Sequence, residues 1–168
     1  MLSLHSLRVA SIFLLCAVPL ALFAAPATTQ TASRLQLRLV ASDNETAESE
    51  SLPAIAPDTP VVRVLVRIEL DERDVESAKI ARDNIGQPTV GLTMTDAGAE
   101  KLAALTEKNI DKQMAFVLDG KVLCAPIIRS KISRQAIISL GSNPTESAVK
   151  ELVEKLNELI DESQSRSK

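Results

Sequence analysis

The chain has 168 residues, a formal net charge of −3 and two cysteines, and 45% of its residues are hydrophobic. Its acidic balance gives no electrostatic case for binding nucleic acid, since phosphate contacts require clustered Lys and Arg. Aromatic side chains make up only 2% of the chain, so it lacks the material for a platform that stacks sugars or bases. The length suits one domain of ordinary size.

Residues 1–24 are predicted to be a secretory signal peptide. Arg8 supplies the positive charge, an apolar run follows it, and small residues come next, with cleavage expected after Ala24 or Ala27. The apolar run is shorter than the roughly 20 residues that a membrane helix needs. An uncleaved anchor is the alternative, and lipidation at Cys16 is disfavoured because a large residue precedes it. The predicted address is the periplasm.

Loss of this leader would remove the only histidine, His5, together with Cys16 and Arg8. The charge would then change from −3 to −4, and Cys124 would be the single remaining cysteine. Without histidine there is no Ser-His-Asp or Cys-His pair and no imidazole metal ligand. The sequence therefore predicts a non-enzymatic protein with no catalytic, metal-binding or cofactor-binding residues. It also excludes an internal disulfide in the mature chain.

Two weak chemical candidates remain after that inventory. The nearest candidates for a catalytic Ser-Lys pair are Ser77 with Lys79 and the segment Ser130–Ile132. Neither has the spacing or loop context of a nucleophile motif. Carboxylates also cluster beside Arg73, at Asp71, Glu72 and Asp74. No turn glycine of a calcium loop follows them, so a solvated strand end is expected there.

The N-terminal half is predicted to hold two strands separated by a long loop. Residues 25–33 are expected to be a flexible lead-in, and Arg34–Val40 alternates polar and apolar residues as a half-buried strand does. Ala41–Pro60 is acidic and proline-rich and is predicted to be an exposed loop, with an acidic recognition segment as the alternative. Val61–Leu70 is rich in β-branched residues and predicts one continuous strand. Asp74–Asp83 is interpreted either as one helical turn or as an irregular segment that crosses between neighbouring elements.

The C-terminal half carries clearer local signals. Thr89–Met94 predicts a strand, and Thr95 is expected to cap a helix that ends at Asn109. Asp119-Gly120 between apolar runs predicts a tight hairpin turn, because Gly accepts the positive backbone angle that the turn needs. The flanking and later elements are expected to be strands over Met114–Leu118, Lys121–Ala125 and Ala136–Leu140.

The last predicted element is an amphipathic helix. Asn143 is expected to cap it, Pro144 to take its first position, and residues 161–168 to form a disordered tail. Its apolar stripe consists of Val149, Leu152, Val153, Leu156, Leu159 and Ile160. Together the elements predict an α+β domain over residues 34–160, with two main helices packed on a mixed or antiparallel sheet.

Cys124 is expected to lie opposite Ala115 and to share a face with Val117 and Val122, because Asp119-Gly120 forms the turn. Small apolar neighbours raise the pKa of a thiol and keep it inert. A buried core residue is therefore predicted, with a reactive or dimer-linking thiol as the alternative.

Many short matches, in a characteristic order and spacing, carry a resemblance to a known family: Ala78, Pro88, Val90, Leu92, Gly98, Ala99, Lys101, Thr106, Asn109-Ile110, Ala115–Gly120, Ala125-Pro126-Ile127, Ile132, Ile137–Gly141 and Asn143–Ala148. Through them, residues Asp74–Leu159 resemble the head subdomain of the large periplasmic domain of the SecD and SecDF protein-export subunits. Arg34–Val40 is similar to a strand earlier in the same periplasmic domain. The turn Ser139-Leu140-Gly141 departs slightly from the family pattern.

The resemblance implies a free-standing head module without the membrane helices that couple export to the proton gradient. Such a module is expected to contact exported or unfolded polypeptide, or the export machinery. A structural or regulatory domain for another envelope protein is the alternative. The resemblance implies turn, cap and packing roles, not catalysis, for Gly98, Asn109, Gly120, Pro126 and Gly141. The acidic charge and the missing catalytic residues predict no nucleic acid and no small-molecule cofactor as partner, and membrane contact is expected only indirectly or through an uncleaved leader.

Overall fold

The computed structural model describes residues 34–44, 46–55, 61–141 and 144–166, which form one compact unit. The predicted leader and lead-in, the predicted cap Asn143 and the last two residues lie outside the described residues. The described elements are, in chain order, β1 (Leu35–Leu39), β2 (Ser49–Pro53), β3 (Val61–Leu65), β4 (Leu70–Asp71), a 3-10 turn (Glu72–Asp74), β5 (Val75–Arg82), β6 (Pro88–Met94), α1 (Asp96–Lys108), β7 (Met114–Leu118), β8 (Lys121–Cys124), β9 (Gln135–Ile138) and α2 (Glu146–Arg166).

These strands form two antiparallel sheets and a ribbon. The first sheet has the order β4-β1-β7-β8, the second sheet has the order β5-β6-β9, and β2 pairs with β3 as the ribbon. With two α-helices packed against them, the described residues have the predicted α+β class, which is confirmed.

The main core joins both sheets and both helices. Its fully buried side chains include Leu35, Leu37 and Phe116 from the first sheet, Val90 and Leu92 from the second, Leu102 from α1 and Leu156 from α2. The predicted apolar stripe of α2 supplies the side chains that it buries.

A smaller core lies on the other face of the first sheet, where the ribbon covers it. Val64 of β3 packs there against Ala115, Val117 and Val122 of β7 and β8. The ribbon is tied to the first sheet by bridges at both ends, Val40 with Val64 and Ala54 with Val122. The first sheet is thus buried on both faces, which explains the continuous apolar run of β7.

The predictions for residues 41–83 are wrong in three places. The expected loop over Ala41–Pro60 contains β2, whose backbone pairs with β3 while most of its side chains stay exposed. The expected strand Val61–Leu70 ends at Leu65, and the chain turns so that Leu70 pairs with Leu37 of β1. The segment Asp74–Asp83 is mostly the strand β5. A bulge between Val75 and Ser77 breaks its alternation and concealed it.

The helix boundaries follow the predictions at α1 and depart from them at α2. Thr95 Oγ1 accepts a hydrogen bond from the Gly98 amide at 3.0 Å, and Asn109 ends α1 as expected. At α2 the capping residue is Thr145, whose Oγ1 accepts from the Ala148 amide at 3.2 Å, so the helix begins at Glu146. The helix continues to Arg166, and the prediction of a disordered tail from residue 161 is therefore wrong for 161–166.

The predicted β7–β8 hairpin is confirmed, and its turn also holds α2. Asp119 and Gly120 have φ angles of 49° and 75°, the pattern of a type I′ turn. The Asp119 carboxylate accepts from Arg34 Nε and from Lys155 Nζ of α2, each at 2.6 Å. The hydrogen bond from Arg34, together with the contact from Lys155, lowers the pKa of Asp119 to about 2 against the opposing effect of burial.

Asp74 joins α1 to the two sheets. Its backbone oxygen accepts from the Thr95 amide at 2.9 Å, and its carboxylate binds Lys101 Nζ at 2.7 Å. The same carboxylate accepts from the Asp71 amide at 3.2 Å, which closes the 3-10 turn. A Cβ atom on Gly98 would lie 2.0 Å from the Asp74 backbone oxygen, so the approach of α1 to this turn requires glycine.

We expect Gly98→Ala to destabilise the domain by about 2–3 kcal/mol, since the new methyl group has to push α1 away from Asp74. Helix propensity alone would predict the opposite effect, an increase in the free energy of unfolding of about 1 kcal/mol. Urea unfolding measures the difference, and Ala104→Gly on the exposed face of α1 is the matched control, with an expected cost of about 1 kcal/mol. A Gly98→Ala domain as stable as the unmodified one would contradict this packing.

Candidate functional site

The carboxylates near Arg73 are structural groups. Asp71 and Asp74 are buried, with only 8% and 6% of their surface exposed, so the prediction of a solvated strand end is wrong. Burial acts to raise the pKa of Asp71, but the hydrogen bonds and charge of Arg73 outweigh it and lower that pKa. Within the described ranges, no group of three His, Cys, Asp or Glu side chains is placed to hold a metal ion. The sequence carries a signal for this structural role, because Asp71 directly precedes the 3-10 turn and Asp74 ends it, which is the spacing of a capping box.

The two weak Ser-Lys candidates are not assembled into a site. Lys131 is exposed and pairs with Glu107 at 3.0 Å, while Lys79 lies exposed on β5 with its stem beside Gly91. Both lysines thus lie at the surface and outside the cavities of the described residues.

Cys124 packs against the main core and not against the smaller one. A bulge in the hairpin places it opposite Phe116, so the predicted neighbours Ala115, Val117 and Val122 lie on the other face. Burial raises the pKa of the Cys124 thiol to about 12, although a hydrogen bond from the Ser139 amide acts in the other direction. The environment is that of an unreactive thiol.

A cavity of about 380 Å³ opens where the ribbon meets β8. Apolar residues make up most of its lining, and the exposed side chains of Asp43, Arg63 and Gln113 supply its polar groups. The Gln113 side chain donates to the Ala125 backbone oxygen at 3.1 Å, which orders this part of the rim. Its apolar lining with a few polar groups is the usual composition of a site that binds organic or peptide ligands. The lining also includes Val40, Ala54, Val62, Leu123, Cys124 and Ala125.

A depression of about 490 Å³ lies beside α1, with walls of mixed character. Lys101 and Lys108 of the helix and Arg67 and Glu69 of the β3–β4 connection line it, and Lys101 is already bound to Asp74. This depression has less apolar surface to offer than the cavity beside β8.

Two sheet edges are closed by neighbouring elements. Asn157 of α2 accepts from the Ala78 amide at 2.9 Å and donates to the Ala78 oxygen at 3.0 Å, so the helix satisfies the outer backbone of β5. Farther along the same edge, Arg82 pairs with Glu146 of α2. On β8, the Val122 oxygen accepts from the Ile55 amide of the ribbon at 2.9 Å. Asn157 carries no recognisable signal in the sequence, because a single polar residue beside an apolar stripe is common in helices.

Comparison with known families gives the identity of this architecture. The model of the SecDF P1 head subdomain matches residues 48–157, which is more than half of the chain. The chain belongs to the SecDF P1 head family. The predicted resemblance is confirmed, and the matched region takes in the ribbon, α1 and the first part of α2.

Relatives of this head domain are protein translocase subunits. It is 46% identical over 67 residues to SecD of Aquifex aeolicus, a match covering 40% of this chain and 13% of that protein. It is 40% identical over 75 residues to SecDF of Thermus thermophilus, covering 45% of this chain and 10% of that protein. The matched region is thus a small part of each relative's length.

Solved structures of SecDF have the same fold. One, described as a membrane component that enhances protein export, aligns with a TM-score of 0.54 and 27% identity over 81% of this chain and 70% of that chain. Another, SecDF in its super-membrane-facing form, aligns with a TM-score of 0.53 and 27% identity over 76% of this chain and 19% of that chain. In the described part of the head domain, no helix is long and apolar enough to cross a bilayer.

We expect the Cys124 thiol of the native head domain to react with an aromatic disulfide reagent at pH 8 at least about 100-fold more slowly than an exposed thiol, because its pKa of about 12 leaves little thiolate. The control is Ser165→Cys in a Cys124→Ser background, since position 165 is exposed on α2. When both domains are unfolded in urea, the two thiols should react at the same rate. Equal rates in the native state would show that Cys124 is accessible and reactive.

Proposed function

We propose that this head domain is a non-enzymatic periplasmic module that contacts exported polypeptide in an unfolded or extended state. Its membership of the SecDF P1 head family is the observation that carries the proposal. A structural relative is described as enhancing protein export, and the relatives in sequence are protein translocase subunits. A secretory leader over residues 1–24 is the sequence feature that supports a periplasmic location.

The surface of the domain supports a polypeptide partner. The cavity beside β8 has an apolar lining and polar groups at its margin, a combination that accepts the mixed side chains of an unfolded chain. Among the described residues, most exposed lysines and arginines are paired with carboxylates, as in Arg134 with Asp96 and Lys131 with Glu107. This part of the surface therefore presents no strongly basic patch that would favour anionic partners. The export machinery itself is the other partner of this class.

A crosslinking experiment with a defined probe tests the proposal. A photoreactive amino acid replaces Gln113 at the rim of the cavity, and a matched domain carries it at Lys150 on the exposed face of α2. The probe is a reduced, carboxymethylated polypeptide that cannot fold, and its disulfide-intact folded form is the control. We expect crosslinks from position 113 to the unfolded form, several-fold more than from position 150 and more than to the folded form.

The same pair of domains, crosslinked in living cells, should give products with chains in transit or with export components. If neither the unfolded probe nor such products are crosslinked, the proposed function is wrong. Crosslinks to one folded envelope protein alone would instead support the alternative of a structural or regulatory domain.

A further inference from the structure

β9 is an edge strand whose outer backbone groups lack partners among the described residues. The Met94 amide of β6 donates to the Arg134 oxygen at 2.8 Å, and the register continues with Leu92 opposite Ala136. Hydrogen-bonded pairs alternate along an antiparallel ladder, so the N–H and C=O groups of Gln135 and Ile137 point away from β6. Both residues are exposed, and 53% of the Ile137 surface is accessible.

The open part of this edge has a defined end. The next outward-pointing amide, that of Ser139, lies beside the Cys124 thiol. Two N–H and two C=O groups, those of Gln135 and Ile137, are therefore offered to a further strand. Exposed edges of this kind pair readily with extended polypeptide.

The other edges in the described part of the chain are less suited to pairing. α2 lies along β5 and satisfies Ala78 through Asn157, and the ribbon occupies the edge of β8 at Val122. β4 has only two residues. The outer edge of β2 ends in Pro53, which has no N–H, and its other exposed side chains, Glu50 and Ser51, are polar.

The side chains beside the β9 edge favour an apolar partner. Ile137 faces the outer surface of the second sheet, and its cross-strand neighbour is Gly91. Because Gly91 has no side chain, Ile137 has no large apolar partner on that side. A side chain on an added strand, directly opposite Ile137, would supply the missing cross-strand contact.

The short length of this edge favours a passing chain over a second copy of the domain. β9 has four residues, which span about 14 Å. Two such edges paired together bury far less than the roughly 1,200–2,000 Å² of a stable protein interface. A short extended segment of another polypeptide, held briefly by its backbone, matches an edge of this size.

We propose that the edge of β9 binds an extended apolar segment of polypeptide as an additional strand of the second sheet. This inference rests on the proposed function and specifies how the unfolded chain is held. The bonds are formed by backbone groups, so recognition depends on extension and on apolar character more than on a particular sequence.

Proline substitutions test the protein side of this contact. Ile137→Pro removes an N–H that points away from β6, so the β6–β9 ladder keeps its bonds. We expect it to weaken binding of the carboxymethylated polypeptide by about tenfold, measured by fluorescence anisotropy. Ser51→Pro is the matched control, because the Ser51 amide also points away from its partner strand, and it should change binding less than twofold.

Modified peptides test the ligand side without changing the domain. The probe is an apolar heptapeptide in two forms, each N-methylated at alternate amides in complementary positions. A strand added to β9 uses every second amide, so one form should lose binding and the other should retain it. This result keeps the inference testable even if Ile137→Pro fails to fold.

The outcomes separate the inference from the proposed function. If the unfolded polypeptide binds the unmodified and Ile137→Pro domains equally, or both N-methylated forms bind alike, the edge is not the site, while the proposed function stands. Failure of the unmodified domain to bind any unfolded chain overturns both. Concentration-dependent dimerisation that Ile137→Pro abolishes would make a second copy the occupant and overturn the inference.

Discussion

The contact between Asp74 and the first turn of α1 is the constraint on which the arrangement depends. Asp74 lies between β4 of the first sheet and β5 of the second, and its backbone oxygen accepts from the Thr95 amide. Its carboxylate binds Lys101 and the Asp71 amide, so one residue holds the chain where it passes between sheets. Gly98 makes this approach possible, because a Cβ atom there would collide with Asp74. The acidic cluster, which by composition suggests a solvated or ion-binding segment, is thus part of the scaffold.

The position of Asp74 between the two sheets determines which surfaces remain available to a partner. Strand β5 follows directly after Asp74, and α2 lies along the outer edge of this strand. Asn157 of α2 hydrogen-bonds the backbone of Ala78, and Lys155 of α2 binds Asp119 in the hairpin turn. The second sheet is closed on that side and ends on the other at β9. The ribbon closes the first sheet at β8 and leaves the apolar cavity next to it. The framework held by these contacts presents an apolar cavity and a short backbone edge, two features suited to polypeptide of varied sequence.

Local sequence signals predicted the elements whose boundaries are set by local chemistry. The Thr95 cap, the Asp119-Gly120 turn and the apolar stripe of α2 are each decided within a few residues, and each is found. Elements that form through pairing with distant segments could not be predicted from the local sequence. β2 pairs through its backbone while its side chains remain polar and exposed, and a bulge disguises the alternation of β5. One further bulge moved Cys124 to the opposite face of the hairpin. Asn157 and the open groups of β9 follow from tertiary placement, which no local pattern records.

Amide hydrogen exchange, followed residue by residue with and without a saturating unfolded polypeptide, tests the account most directly. In the free domain, the Thr95 and Ala78 amides should be strongly protected, because Asp74 and Asn157 accept from them. The Gln135 and Ile137 amides should exchange at nearly the rate of an unstructured chain and become protected when the polypeptide is added. The Ser51 amide should be unchanged. Protection of Gln135 and Ile137 in the free domain, or no protection of either at saturation, would contradict the account.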